Sequence, residues 1–243
     1  MKALLLSDIH SNLEALESVV QDARLHFDIE EVWVTGDLVG YGPNPNECLS
    51  LLNSLGAIAV AGNHDLAVIG KISTDDFNPA AAAAAIWTQE AINDTSVEML
   101  RALPVLREQH GVSLVHGSPS DPVWEYVNDA FRANNALDAV NTAGLVTGHT
   151  HKQTMFMQRS GNTKQIAVEV SETYSFTDSK YLVNAGSVGQ PRDGDPRANY
   201  AVLDFDELTI NFNRVKYGYE ITSSKILKAG LPTFLADRLK QGR

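Results

Sequence analysis

The chain has 243 residues, 44% of them hydrophobic, with 30 acidic and 19 basic side chains and a formal charge of −11. That supports a sizeable core, and the length alone, at ~150 residues per domain, does not choose between one domain and two. So acidic a chain disfavours stable binding to nucleic-acid phosphates or to anionic membranes, but it does not exclude metal ions.

In chain order, "KALLLSD" reads as a short buried strand. Its apolar run is too brief for a signal peptide, and no run reaches the ~18 residues of a membrane span, so a cytoplasmic protein is expected. "SNLEALESVVQDARLH" follows with apolar residues at 13, 16, 19, 20 and 23, a helical period, and Ser11 or Asn12 as its cap. "EEVWVTGD" is a second strand. "NPNECLSLLNSLG" is a second helix, closed by Gly56, and it holds the single cysteine, Cys48, which excludes an internal disulfide. "AIAVAGNHD" reads as a third strand. Strand alternating with helix implies a parallel sheet with helices on its faces, and ligands bind at the carboxyl ends of such strands.

The middle of the chain is helical. "NPAAAAAAIWTQEAI" is either a packing helix or a cover over a ligand, and "SVEMLRALP" ends at a proline. "VLREQHGVSLVHGSP" predicts a hairpin turning at Gly111, and "NDAFRANNALDAV" a helix leading into "GLVTGHTH". Strands are expected in "QTMFMQR", "KQIAVEV", "SKYLVNAGS" and "NYAVLDFDELTINFNRV", the last with a hairpin around Asp206 and Glu207. Helical segments "EITSSKILKAG" and "PTFLADRLK" finish the chain. No repeat or linker marks a domain boundary.

Five of the seven histidines fall in short polar clusters just after apolar strands: His10, His64, His116, His149 and His151. Asp8, Asp37 and Asn63 stand in the same kind of position. Taken singly, Asp8 reads as a helix cap, the glycine and Asp37 as a turn, and His116 as a loop histidine. Taken together, they form an ordered donor set of carboxylate, imidazole and amide oxygen without thiolate, which suits Mn, Fe, Zn or Ni rather than a structural zinc. Residues two apart in an extended strand point the same way, so Asp8 with His10, and His149 with His151, are expected to converge. Seven ligands exceed one tetrahedral ion and suit two ions sharing a carboxylate. His26, near a helix end, and His110, before a turn, are read as structural.

The ordered motifs "DIH" (8–10), "GDLVGYGP" (36–43), "GNHD" (62–65), "HG" (116–117) and "GHTH" (148–151) resemble those of the calcineurin-like metallophosphoesterases. The later "NAGSVGQPRDGDPRANYAVLD" (184–204) resembles a branch of small bacterial and archaeal members grouped with diadenosine tetraphosphatases and phosphodiesterases. The resemblance implies an α/β fold: a four-layer αββα sandwich of two mixed sheets face to face with helices outside, in one domain over residues 1–243, with the metal site at one sheet edge. It implies two divalent transition-metal ions, with Mn expected to activate. Asp8, His10, Asp37 and His151 would hold the first, and Asp37, Asn63, His116 and His149 the second. It makes His64 the proton donor, Asp65 the group that orients it, and a hydroxide bridging the ions the nucleophile. Gly62 would allow the tight turn that brings these groups to the metals.

Protein phosphatases of this superfamily carry "GDxVDRG", whose arginine grips the phosphate; here Tyr41 stands in that place. Arg192 and Arg197 are candidates to supply the missing charge, and their alternative is pairing with Asp193 or Asp195. The resemblance therefore favours a phosphodiesterase or dinucleoside polyphosphate hydrolase acting on a small phosphoester or nucleotide. A phosphomonoesterase is the second reading. The third is a scaffold that keeps the fold without catalysis, against which the intact His64 and ligand set argue.

Overall fold

The computed structural model describes residues 1–243. Its strands are β1 (Lys2–Leu6), β2 (Glu31–Thr35), β3 (Ile58–Val60), β4 (Leu106–Gln109), β5 (Val112–Val115), β6 (Gly144–Thr147), β7 (Gln153–Arg159), β8 (Asn162–Ile166), β9 (Thr173–Ser175), β10 (Lys180–Ala185), β11 (Ala198–Asp204) and β12 (Thr209–Val215). Its helices are α1 (Leu13–His26), α2 (Pro45–Ser54), α3 (Asn63–Val68), α4 (Pro79–Ala91), α5 (Asp94–Arg101), α6 (Ala130–Asp138), α7 (Tyr219–Lys228) and α8 (Thr233–Asp237).

The strands form two six-stranded mixed sheets, in the orders β3-β2-β1-β11-β12-β9 and β4-β5-β6-β10-β7-β8. β1, β2 and β3 run parallel, whereas β11 pairs antiparallel with β1 in the register Leu4↔Val202. β5 and β6 are likewise parallel. Strand alternation sends β1 side chains to two different cores. Ala3 and Leu5 enter the layer between the sheets with Trp33, Leu114, Val146 and Phe212. Leu4 and Leu6 point outward onto Leu16 and Val19 of α1 and Leu49 and Leu52 of α2. Burial on both faces is why "KALLL" has no polar alternation. On the far side, Leu145, Phe156 and Leu182 pack against Ala133, Ala136 and Leu137 of α6. The order helix, sheet, sheet, helix is the four-layer sandwich expected. Trp33 has no exposed surface; its truncation to alanine would cost about 3–5 kcal/mol.

α1 begins at Asn12, whose side chain accepts from the Ala15 N–H at 3.2 Å. Asn78 caps α4 in the same way, with Pro79 in the first turn. The alanine run resolves into both of its readings. Ala81 and Ala84 pack with Ile226, Leu235 and Leu239 around Tyr41, and Ala81 also lines the cavity described below. The hairpins at Gly111 and at Asp206–Glu207 form as expected. Two local expectations fail. The third strand stops at Val60, and Asn63 to Asp65, expected to extend it, instead open the short helix α3. The strand expected in "KQIAVEV" ends at Ile166, and the short edge strand β9, which the sequence does not announce, carries few apolar residues.

Candidate metal centre

Asp8 and His10 lie past the end of β1, Asp37 past β2, Asn63 and His64 past β3, His116 past β5, and His149 and His151 past β6. Each is at most 5% exposed. Strand ends from both sheets supply the cluster, so it sits across the two sheets rather than at the edge of one. The Thr35 hydroxyl donates to the Thr147 carbonyl at 3.1 Å and ties the sheets together there.

The paired residues converge for a reason other than the one expected. Asp8, His10, Asp37, His149 and His151 are not extended; their φ values are 52°, 49°, 53°, 67° and 58°. Such left-handed backbone at non-glycine residues costs about 1–3 kcal/mol each and persists only where surroundings hold it. Here backbone bonds hold it: Asp8 N–H to the Gly36 carbonyl at 3.1 Å, and His10 N–H to that of Asp37 at 3.0 Å. The "NAGSVGQ" segment clamps the same loops. Asn184 donates to the Gly148 carbonyl at 2.6 Å, the Ser187 hydroxyl to that of Asp8 at 2.7 Å, and the Gly189 N–H to the same oxygen at 3.0 Å.

Two donor groups result. In one, His151 Nε2 lies 3.3 Å from Asp8 Oδ1 and 3.2 Å from His10 Nε2. In the other, His116 Nε2 lies 3.0 Å from His149 Nδ1, 3.1 Å from Asn63 Oδ1 and 3.4 Å from Asp37 Oδ2. Asp37 Oδ2 is also 3.6 Å from His10 Nε2, so one carboxylate oxygen faces both groups. The other, Oδ1, accepts the His64 N–H at 2.9 Å.

The far nitrogens fix the tautomers. Nδ1 of His10, His116 and His151 donates to the carbonyls of Val39 (3.2 Å), Thr35 (2.8 Å) and Gln190 (2.6 Å). Their Nε2 atoms therefore present lone pairs inward, toward one another and toward Asp8 Oδ1, a buried oxygen with no hydrogen-bond partner. Facing lone pairs repel unless a cation lies between them. Burial also raises the Asp8 carboxyl to about 7 and holds that of Asp37 well above its usual range; it lowers His149 to about 2 and His10 and His151 well below the imidazole range. Bound cations reverse that logic by compensating carboxylates and leaving imidazoles neutral. These oxygen and nitrogen donors fit divalent metal ions.

His64 lines the cavity over these groups. Its ring lies 4.8 Å from His10 and 4.4 Å from Tyr41, and its buried Nδ1 has no partner. Gly40, at φ 87°, makes room for it, since a Cβ there would stand 2.4 Å from that nitrogen. Burial first, and Arg192 second, depress His64 to about 3, so the ring is neutral near pH 7.

Asp65 departs from the role expected of it. Its carboxylate accepts the N–H groups of Leu38 (2.9 Å), Val39 (3.1 Å) and Gly62 (2.9 Å) and does not bond His64. It positions the loop after Asp37 and caps α3. Gly62 is likewise present for closeness rather than for a left-handed turn: its φ is −99°, and a Cβ would meet Asp37 Oδ1 at 2.2 Å.

Of the two arginines, Arg192 lines the cavity, with its guanidinium 5.9 Å from the centre of the Tyr41 ring. One terminal nitrogen donates to Gln190 Oε1 at 3.0 Å, while its buried Nε is unpartnered. Arg197 is held away from it, bonded to Asp195 at 2.6 Å, because "RDGDPR" supplies that counter-ion locally. His26 bonds the Asp22 carbonyl, and His110 the Glu31 carboxylate at 2.9 Å; both stay outside the cluster. Sequence reasoning missed Phe77, Trp124 and Tyr126, which line the same cavity. They lie on irregular segments without periodicity, and the only available cue was the aromatic spacing in "DPVWEYVND".

Residues 1–208 match the model of the calcineurin-like phosphoesterase superfamily domain. The uncharacterized protein MJ0912 of Methanocaldococcus jannaschii is 38% identical over 98% of this chain and 97% of its own length. A metallophosphoesterase structure from Sphaerobacter thermophilus is 39% identical, covers 100% of this chain and 99% of its own, and superposes with a TM-score of 0.90. A symmetrical bis(5'-nucleosyl)-tetraphosphatase of Shewanella putrefaciens is 32% identical over 63% of this chain and 53% of its own length.

Proposed function

This chain belongs to the calcineurin-like phosphoesterase superfamily, and from that premise we propose that it is a phosphodiesterase or dinucleoside polyphosphate hydrolase dependent on two divalent transition-metal ions. That it is a hydrolase of phosphoester bonds follows from the family. The observation that carries the two-ion reading is Asp37 Oδ2, which faces two separate donor groups at 3.6 and 3.4 Å. One ion is assigned to Asp8, His10, Asp37 and His151, and the other to Asp37, Asn63, His116 and His149. Manganese is the activating ion we would supply first.

Such ions, when bound, supply an activated water and neutralise the phosphoryl oxygens. The protein's own groups do the rest. Asp37, fixed through Oδ1 by the His64 N–H, holds the two ligand sets in register. His64 is assigned the proton for the departing oxygen: the phosphoester anion beside it would offset the burial that depresses its basicity, so that the ring donates as the imidazolium, a contribution of typically 10²–10⁴-fold. Arg192, which lines the cavity, brings the positive charge that Tyr41 lacks. The similarity to a bis(5'-nucleosyl)-tetraphosphatase supports a nucleotide substrate. The test is to compare rates on a chromogenic phosphodiester and its monoester with Mn²⁺ added and a chelated blank. A diester preference supports the reading; a monoester preference favours a phosphatase, in which Arg192 grips the terminal phosphate.

A further inference from the structure

Tyr126 stands between two hollows. One is the metal-facing cavity, about 100 Å³. The other, about 520 Å³, is open and lined by Asp121, Glu125, Tyr126, Asn128 and Arg132. Tyr126 lies flat on His149, with ring centroids 3.9 Å apart and planes at 19°, and yet is 46% exposed. Trp124 meets Phe77 edge to face at 5.5 Å in the wall of the smaller cavity.

The larger hollow has a definite polarity. Arg132 is paired with Asp129 and lies 3.9 Å from Glu125, so its charge is already met. Asp121 accepts the Trp124 N–H through Oδ1 and Glu125 the Ser118 hydroxyl through Oε2, but two carboxylates against one arginine leave the hollow acidic, unsuited to a second phosphate and suited to a neutral group that donates hydrogen bonds to their remaining oxygens. A flat tyrosine beside it favours a planar one.

Resting on the phosphoester reading above, we propose that Tyr126 is a stacking platform for a nucleobase of the substrate, which lodges beside Asp121, Glu125 and Asn128 while the ester lies over the metal-facing residues. The base thus sits on the acidic side, and any further phosphates extend toward Arg192.

The test uses the manganese-loaded protein and three ligands: inorganic phosphate, ribose 5-phosphate and adenosine 5'-monophosphate. Dissociation constants are measured by calorimetry for wild type, Tyr126→Ala and Tyr126→Phe. The expected result is that the nucleotide binds wild type about 10-fold or more tighter than ribose 5-phosphate, the scale of a base–aromatic stack. Tyr126→Phe keeps that ratio, Tyr126→Ala abolishes it, and all three proteins bind phosphate alike. Equal affinity of wild type for the nucleotide and ribose 5-phosphate would overturn the stacking platform and leave the phosphoester reading standing. Weakened phosphate binding in Tyr126→Ala would also overturn it, showing that the ring serves to support His149. If the metal-loaded wild type binds none of the three, the phosphoester reading itself fails, and the platform with it.

Discussion

His149 and Tyr126 stack ring on ring, yet His149 is 4% exposed and Tyr126 46%. The pair marks a boundary between the floor of the cavity and its rim. On the floor, His10, His116 and His151 each have the outer nitrogen bound to a backbone carbonyl, and Asp37 and Asp65 accept backbone N–H groups. On the rim, the Arg192 side chain is tied by one hydrogen bond, to Gln190, and Tyr126 lies on a loop between β5 and α6. A floor held by the main chain is suited to chemistry that tolerates no misplacement. A rim of loosely tied side chains is suited to choosing among substrates.

The sharpest way to break that contrast is at Asp37. Asp37→Ala removes the oxygen that faces both donor groups and an acceptor of the His64 N–H. Turnover is expected to fall by about 10³-fold or more, at the upper end of what a single electrostatic stabiliser contributes, and metal content by elemental analysis is expected to drop. Full metal content in this variant would show that Asp37 is not shared.

His64→Ala comes next. Its ring lines the cavity but stands outside the two ligand sets assigned here, so turnover is expected to fall by about 10²-fold or more while metal content holds. Unchanged turnover would remove His64 from the chemistry. Loss of metal would make it a ligand, as its place within 4.8 Å of donor atoms of His10 and Asp37 permits.

Arg192→Ala tests the rim. A hydrogen bond to a charged phosphate is worth about 10- to 100-fold, expected here mainly as a raised KM with metal content untouched. A fall in kcat with KM unchanged would instead make Arg192 a transition-state group.

Much of the floor was legible in the sequence because chemistry forces it to be. Donor residue types at successive strand ends leave a pattern that survives ignorance of the backbone. The backbone itself was not legible. Nothing in "SDIH" announces that Asp8 and His10 both take left-handed φ, a conformation imposed by contacts with residues 36, 37 and 189, distant in sequence. Asp65 was misread for a related reason. Its neighbour in sequence is His64, but its partners are the N–H groups of Leu38, Val39 and Gly62. The four layers were expected through the family resemblance, since strand-helix alternation by itself announces only a parallel sheet with helices on its faces, whereas β9 and the end of β3 depend on tertiary pairing. The rim was nearly silent, because Phe77, Trp124 and Tyr126 are brought together by loops with no period.

Arg197→Ala is expected to have the smallest effect, and it sharpens the contrast because Arg192 and Arg197 lie in one "RDGDPR" loop. Turnover and KM are expected to be unchanged, since the Arg197 guanidinium is bonded to Asp195. Any effect belongs to stability and depends on pH. Bonds from Arg197, with Arg214 adding its charge, lower the Asp195 carboxyl from 3.8 to about 2. A carboxyl lowered in the folded state contributes stability above its unfolded value and loses it as pH falls through the folded one. The difference in Tm between wild type and variant is therefore expected to be present above about pH 4 and to vanish near pH 2. Its size is bounded at about 1 kcal/mol, because Arg197 is 38% exposed and solvent screens such pairs. A raised KM would break the contrast by placing Arg197 on the rim. A Tm difference that persists unchanged below pH 2 would mean that Arg197 stabilises the loop by packing rather than by charge.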